Sequence, residues 1–316
     1  MTIGAVDIGG TKIAVGMVDE SGRVLAKTES PTDPERYADG LKRIAAMLRE
    51  TARNAGVVIS GIGIGSTGPV DPIAGEFGDV DFLPGWRQKK PVADLERLFS
   101  VRVALENDAD AAALAEASWG AGRNKSRLIY VTVGTGIGGG VVIDGELYRG
   151  VDGAHPELGH HVVDPSGPTC SCGFRGCWES LAAGPGMAAW FRSQLAGNDP
   201  LRENFSAREI CALAQQGDPL ACRSVEREAY YLGLGLANLI NLFTPDAIVL
   251  SGSVLKSPEL FMEGIRSVIK QGCRFVPFEK AQLTMASLGE DANLIGAARV
   301  WHHRFGDESG ERRRIS

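Results

Sequence analysis

Ile3-Gly4-Ala5-Val6-Asp7-Ile8-Gly9-Gly10-Thr11-Lys12-Ile13-Ala14-Val15-Gly16-Met17-Val18 opens the chain with two apolar runs joined by a glycine turn. The pattern predicts a buried strand over 3–8 and a second over 12–18. After the turn Glu20-Ser21-Gly22, a third strand follows over 23–28. The same meander returns later: 128–133 reads as a strand, Gly134-Thr135-Gly136-Ile137-Gly138-Gly139-Gly140 as a glycine turn, 141–143 as a strand, and Asp144-Gly145 as another turn. One pattern used twice predicts two similar α/β halves.

Between the copies, 35–55 reads as a helix with Leu41, Ile44, Ala45 and Leu48 on one apolar face. Apolar runs at 57–63 and 101–105 read as strands, and the second leads through Asn107-Asp108 into an alanine-rich helix to 117. Asp108 therefore lies at a strand-to-helix junction. Beyond the second meander come an irregular Gly/Cys segment over 150–176, a helical region to about 242, strands at 247–250 and 282–286, and a last helix near 293–301. The division expected is a first domain over 1–120, a second over 121–290, and a segment 291–316 whose helix returns to pack on the first domain before a polar tail.

At 316 residues, with 44% hydrophobic and 23% charged residues, the chain has the composition of a globular protein with room for two domains. No apolar stretch reaches the roughly 20 residues that span a bilayer, and the N-terminus lacks the features of a signal peptide. The expectation is a cytoplasmic protein with no membrane partner. A formal charge of −6 offers no general field for a polyanion, so nucleic acid is not an expected partner. The basic run Arg312 to Arg314 reads as a solvated tail. Of six cysteines, Cys211, Cys222 and Cys273 are scattered and read as packing residues, whereas Cys170, Cys172 and Cys177 are clustered.

Asp7-Ile8-Gly9-Gly10-Thr11-Lys12 places an acid at a strand end and glycines where backbone N–H groups could approach phosphate oxygens; the bland alternative is a β-hairpin turn. The glycines of 134–140 cost chain entropy unless the backbone needs unusual angles or a close approach, as a phosphate cradle does. Neither loop has the Walker A pattern or opens a helix like a dinucleotide fingerprint, which argues against a P-loop enzyme and a Rossmann dehydrogenase.

Paired glycine hairpins in duplicated α/β halves resemble the actin-like and hexokinase-type (ribonuclease H-like) fold, with two domains around an interdomain cleft. With Glu157-Leu158-Gly159-His160 and Cys170-Ser171-Cys172-Gly173-Phe174-Arg175-Gly176-Cys177-Trp178-Glu179, the two loops resemble the ROK family of sugar kinases and sugar-responsive repressors, from residue 3 to about 300. His160, Cys170, Cys172 and Cys177 supply one imidazole and three sulfurs, the donor set of a closed structural zinc site, although C-x-C is tighter than the usual C-x-x-C knuckle. The alternative is a loop of reduced thiols. The resemblance favours zinc, with His160 linking the metal to the sugar pocket.

The resemblance also implies the site. Asp108 is the catalytic base, whose alternative role is an N-cap, and Asn107, Asp108, Glu157, His160 and Glu179 contact the sugar. Asp7 belongs to the Mg²⁺ shell; Gly9, Gly10, Thr11 and Lys12 form the first phosphate loop; Gly134, Thr135 and Gly136 form the second; and Gly252 lies near adenosine. The expected cofactors are ATP, Mg²⁺ and structural Zn²⁺, and the expected assembly is a homodimer or homotetramer. The implied activity is ATP-dependent phosphorylation of a hexose, glucose to glucose 6-phosphate, as in a glucokinase of carbohydrate metabolism and glycolysis. Family repressors carry an N-terminal helix-turn-helix, for which a strand starting at residue 3 leaves no room. A sugar-sensing regulator is therefore the lesser reading. Substrate signals are mixed: Ser66-Thr67-Gly68 resembles N-acetylmannosamine kinases, while Pro69-Val70-Asp71 and Pro84-Gly85-Trp86 resemble glucokinases. An N-acetylhexosamine or fructose is the alternative substrate.

Overall fold

The structure is a computed structural model that describes residues 1–195 and 204–306. The basic run Arg312 to Arg314 lies outside the described residues. The chain divides into two compact units, the first made of 1–124, 140–156 and 287–316, the second of 125–139 and 157–286.

The first sheet begins with the antiparallel meander β1 (Thr2–Ile8), β2 (Lys12–Asp19) and β3 (Val24–Pro31). Helix α1 (Tyr37–Ala55) crosses to β4 (Gly61–Ser66), parallel to β1. A two-residue hairpin, β5 (Val70–Asp71) and β6 (Glu76–Phe77), and α2 (Pro91–Phe99) precede β7 (Val103–Asn107), parallel to β4, and then α3 (Asp108–Trp119). The sheet order is β3-β2-β1-β4-β7.

The strand expected over 57–63 starts only at Gly61. Gly56 takes a left-handed conformation at φ 66°, and Val57 N–H donates to Ala52 O at 3.0 Å. These bonds finish α1, so residue 57 belongs to the helix end rather than the sheet.

The second copy comprises β8 (Arg127–Val133), β9 (Ile137–Ile143) and β10 (Glu146–Leu147), followed by helices α4 (Trp178–Ala182), α5 (Gly184–Ser193), α6 (Ala207–Gln215) and α7 (Pro219–Phe243). It continues with β11 (Ala247–Ser251), α8 (Met262–Gly272), β12 (Gln282–Met285) and α9 (Ala292–Phe305). The order β10-β9-β8-β11-β12 repeats that of the first sheet: third, second, first, fourth and fifth strand of each copy. That repetition is the duplication read from the two glycine meanders.

Two departures have a common cause in packing. The turn expected over 134–140 is only three residues long: Gly134 N–H donates to Gly136 O at 2.9 Å, and β9 starts at Ile137. Gly139 and Gly140 are strand residues without room for a side chain. A Cβ on Gly139 would lie 2.4 Å from Tyr130 O, and one on Gly140 2.6 Å from Asp110 Oδ1. The segment 140–156, assigned by the sequence division to 121–290, belongs to the first unit, against α3.

In the first unit, Val6, Ile8, Val15, Met17, Ile62, Ile64, Leu48 and Trp86 form a core on one face of the sheet. The other face is covered by α9, with Leu294, Ala297, Ala298 and Trp301 buried against Ile3, Ala5, Ala14 and Val18. The alternating glycines of Gly61-Ile62-Gly63 explain how closely it sits. A Cβ would come within 2.2 Å of Trp301 Nε1 at Gly61 and 1.8 Å of Ala297 O at Gly63. Because side chains alternate faces, the isoleucines feed one core while the bare backbone receives the helix. In the second unit, Trp178 is fully buried against α7 at Gly235. No described helix is long and apolar enough to cross a membrane.

Candidate active site

Parallel strands bring Asp7, Ser66 and Asn107 to one end of the first sheet: Asp7 is in register with Gly65, and Ser66 with Asn107. Such carboxyl ends are where open α/β sheets bind ligands. The first glycine turn closes there, with Gly9 N–H donating to Lys12 O at 2.9 Å and Thr32 Oγ1 donating to Gly9 O at 2.8 Å. Gly10 packs beside Phe82, Thr11 is exposed, and Lys12 Nζ pairs with Glu29 Oε1 at 2.8 Å. Asp7 Oδ2 accepts from Asn293 Nδ2 at 3.2 Å, and burial holds its carboxyl above the usual range.

The N-cap of α3 is Asn107, not Asp108: Asn107 Oδ1 accepts from Ala109 N–H at 2.9 Å and Asp110 N–H at 3.4 Å. Asp108 is the first helical residue, with Oδ1 accepting from Ala109 N–H at 2.8 Å. Its carboxyl is pushed up to about 6, first by burial and then by the nearby charge of Asp7. A carboxylate so placed has a proton affinity suited to accepting a proton near neutral pH.

The second unit carries the remaining predicted residues. Glu157 is exposed and precedes a single 3-10 turn, Leu158–His160, which fits against β9 at Gly159. The ligand atoms of His160, Cys170, Cys172 and Cys177 all lie within 4.8 Å of one another. His160 turns Nδ1 toward the cluster, 3.5 Å from Cys170 Sγ, and Cys172 Sγ lies 3.4 Å from Cys177 Sγ. Glu179, in the first turn of α4, accepts Ile137 N–H through Oε2 at 2.9 Å.

The second glycine turn meets two other backbones. Gly184 N–H, at the start of α5, donates to Gly134 O at 2.8 Å. Gly252, at φ 103°, passes so close to Val133 that a Cβ would lie 2.2 Å from its carbonyl oxygen, and Ser253 Oγ borders Gly134. Gly134, Thr135, Gly136 and Gly252 are thus neighbours at one end of the second sheet. A cavity of about 460 Å³ opens beside them, lined by Thr135, Cys170, Glu179, Trp190 and Arg227 among others. Trp190 and Arg227 escaped the sequence reading because each sits in an ordinary helical pattern. Arg227 lies over the Trp190 and Tyr231 rings, 5.7 and 4.6 Å from their centroids; Tyr231 is one turn along the same helix, whereas Trp190 comes from another helix.

The sequence pattern of the ROK family matches residues 3–304. A glucokinase of Streptomyces coelicolor is 37% identical, over 94% of this chain and 96% of its own length. Among solved structures, the ROK hexokinase of Thermus thermophilus superposes with a TM-score of 0.84 at 38% identity, covering 95% of this chain and 97% of that one. A ROK family glucokinase of Streptomyces griseus, solved in complex with glucose and AMPPNP, gives 0.77 at 35% identity, covering 94% and 98%. These likenesses confirm the actin-like, hexokinase-type reading of the two repeated sheets. With the family pattern running from β1 to the end of α9, the chain belongs to the ROK family.

Proposed function

We propose that the protein is an ATP-dependent hexose kinase acting on glucose, with Asp108 as the base. The observation that carries this reading is Asp108 itself: a half-buried carboxylate at the start of α3, free of the capping role that Asn107 takes, and pushed up to about 6. Similarity to glucokinases along nearly the full chain supports ATP and glucose as the substrates.

In the reaction, the sugar hydroxyl oxygen attacks the γ-phosphorus of ATP while Asp108 takes the hydroxyl proton. A bond forms between that oxygen and phosphorus, the bond from phosphorus to the bridging oxygen breaks, and ADP leaves with the bridging oxygen. Asn107, whose Oδ1 is committed to the helix cap, would offer its Nδ2 to the sugar. Glu157, His160 and Glu179 would contribute acceptors and an imidazole. Gly9 to Lys12 would hold phosphates, as would Gly134, Thr135 and Gly136, with Gly252 near adenosine. Asp7, a buried carboxylate that accepts one amide N–H from Asn293 and has the charge of Lys12 nearby, suits a Mg²⁺ ion. Such an ion offsets charge on the phosphates.

His160, Cys170, Cys172 and Cys177 would hold structural zinc. A tetrahedral ion with Zn–S of about 2.3 Å and Zn–N of about 2.0 Å separates its donors by about 3.5–3.8 Å, close to the 3.5 and 3.4 Å found here. The protein is read as a cytoplasmic homodimer or homotetramer, testable by sedimentation.

The deciding experiment is ADP release from ATP with glucose, N-acetylmannosamine, fructose or no sugar. Glucose should give the highest kcat/KM and yield the 6-phosphate. Preference for N-acetylmannosamine would follow the Ser66-Thr67-Gly68 resemblance instead and overturn the choice of sugar. Turnover without sugar at a comparable rate would overturn the kinase.

A further inference from the structure

Asp110 is fully buried two residues beyond Asp108, yet nothing in the proposed chemistry uses it. Its Oδ2 accepts from Arg149 Nη1 and lies 2.6 Å from His155 Nδ1, while Oδ1 has no hydrogen-bond partner among the described residues. Arg149 also reaches back: its Nη2 is 2.5 Å from Glu106 Oε2. Glu106 Oε1 in turn accepts Asn107 N–H at 2.8 Å. One guanidinium therefore joins Glu106 and Asp110, the residues two before and two after Asp108, and so staples the strand-to-helix junction that carries it.

The planar fork of arginine is what permits this. Nη1 donates to Asp110 while Nη2 lies within ion-pair distance of Glu106, a reach to two carboxylates that the point charge of a lysine does not offer. Charge completes the argument. By formal charge two carboxylates, Glu106 and Asp110, face one guanidinium in a water-poor site, and His155 is the group placed beside Asp110 to offset the difference.

We infer that Arg149 and His155 are positioning residues for phosphoryl transfer, acting through Glu106 and Asp110 to hold the turn that presents Asp108. The inference rests on Asp108 being the base of the proposed kinase. The charged groups around Asp108 are Asp7 from β1, Asp110 from its own helix and His155 from the segment after β10. Asp110 is faced by Arg149 and His155, with Glu106 of β7 beyond the guanidinium, and Asp7 by Lys12 and Glu29. Asp110 hinders ionisation of Asp108 and His155 favours it, each after the larger effects of burial and Asp7.

The test compares Arg149→Lys, His155→Gln and Asp110→Asn with wild type in the full-length protein, by kinetics with glucose and ATP and by hydrogen exchange of the amides of 107–112. Arg149→Lys should lower kcat about 10–100-fold with a smaller change in the KM for glucose, because charge is kept and alignment lost. The acid limb of kcat/KM should move in opposite directions, to lower pH in Asp110→Asn and to higher pH in His155→Gln. Should Asp110→Asn fold poorly, the shift in His155→Gln decides alone. Acid limbs that stay in place in folded, active variants would overturn the positioning role. Unchanged exchange in Arg149→Lys would overturn the clamp whatever the activity. A wild-type protein that phosphorylates no hexose, with exchange faster in Arg149→Lys, would instead overturn the proposed function and the positioning role with it, leaving the clamp as structure only.

Discussion

Glu179 Oε2 accepts the N–H of Ile137 at 2.9 Å, and the absent side chain of Gly136 is what lets the carboxylate approach. A residue proposed to contact the sugar is thereby bonded to the backbone that ends the second glycine turn, proposed to hold phosphate. Glu179→Ala should therefore raise KM for ATP as well as for glucose. Loss of a charge-assisted bond, worth about 1.5–3 kcal/mol, corresponds to about 10–100-fold. Glu179→Gln keeps an acceptor for Ile137 and should spare ATP more than glucose. Initial-rate kinetics varying each substrate separate the two, and an unchanged KM for ATP in Glu179→Ala would break the link.

Asp108→Asn keeps shape and an acceptor but cannot take the proton. It should lower kcat by about 10²–10⁴-fold while leaving glucose binding by calorimetry little changed. The wild-type pH profile carries the matching sign. Burial raises this carboxyl to about 6, so the active carboxylate is lost as pH falls through that value and is fully present above it. kcat/KM should rise toward a plateau above pH 6. Near-normal turnover in a folded Asp108→Asn protein would remove the base.

Much of this was legible in the chain because the informative residues are adjacent in sequence. Asp7 with Gly9 and Gly10, Asn107 with Asp108, and the three clustered cysteines each carry their spacing locally. What stayed hidden depends on contacts between distant segments. Gly138, Gly139 and Gly140 read as turn residues because glycine marks both turns and tight packing; only Tyr130 and Asp110 lying against the strand separate the two uses. Asp110 itself reads as one more polar position of an alanine-rich helix until Arg149 and His155 arrive from 39 and 45 residues away. Trp190 and Arg227 are invisible for the same reason.

The cysteine cluster makes a compositional prediction. Purified protein should contain about one zinc per chain by elemental analysis, and Cys172→Ser should weaken its retention and lower activity by loosening the segment that carries His160 and Glu179. Cys172 is the exposed member, so its loss leaves no cavity in the core and isolates the donor effect. Metal-free protein with full activity would reduce the cluster to a loop of thiols.

Glu228 provides a stability test. It lies in the middle of α7, fully buried, with neither carboxylate oxygen hydrogen-bonded among the described residues, and burial pushes it up to about 8, only partly opposed by Arg227. A carboxyl raised in the folded state keeps its proton between the unfolded value near 4.5 and about 8, where the unfolded chain has released it. The folded state then binds more protons, so stability falls with rising pH across that window by up to about 1.4 kcal/mol per unit, then levels off. Glu228→Gln removes the titration while keeping the shape. The two proteins should therefore differ little in pH dependence below pH 4.5. By pH 7 the variant should have gained on the order of 3 kcal/mol relative to wild type. Denaturant melts of both proteins from pH 5 to 9 measure the divergence, and parallel curves would mean that Glu228 finds a partner or water that the buried site does not suggest.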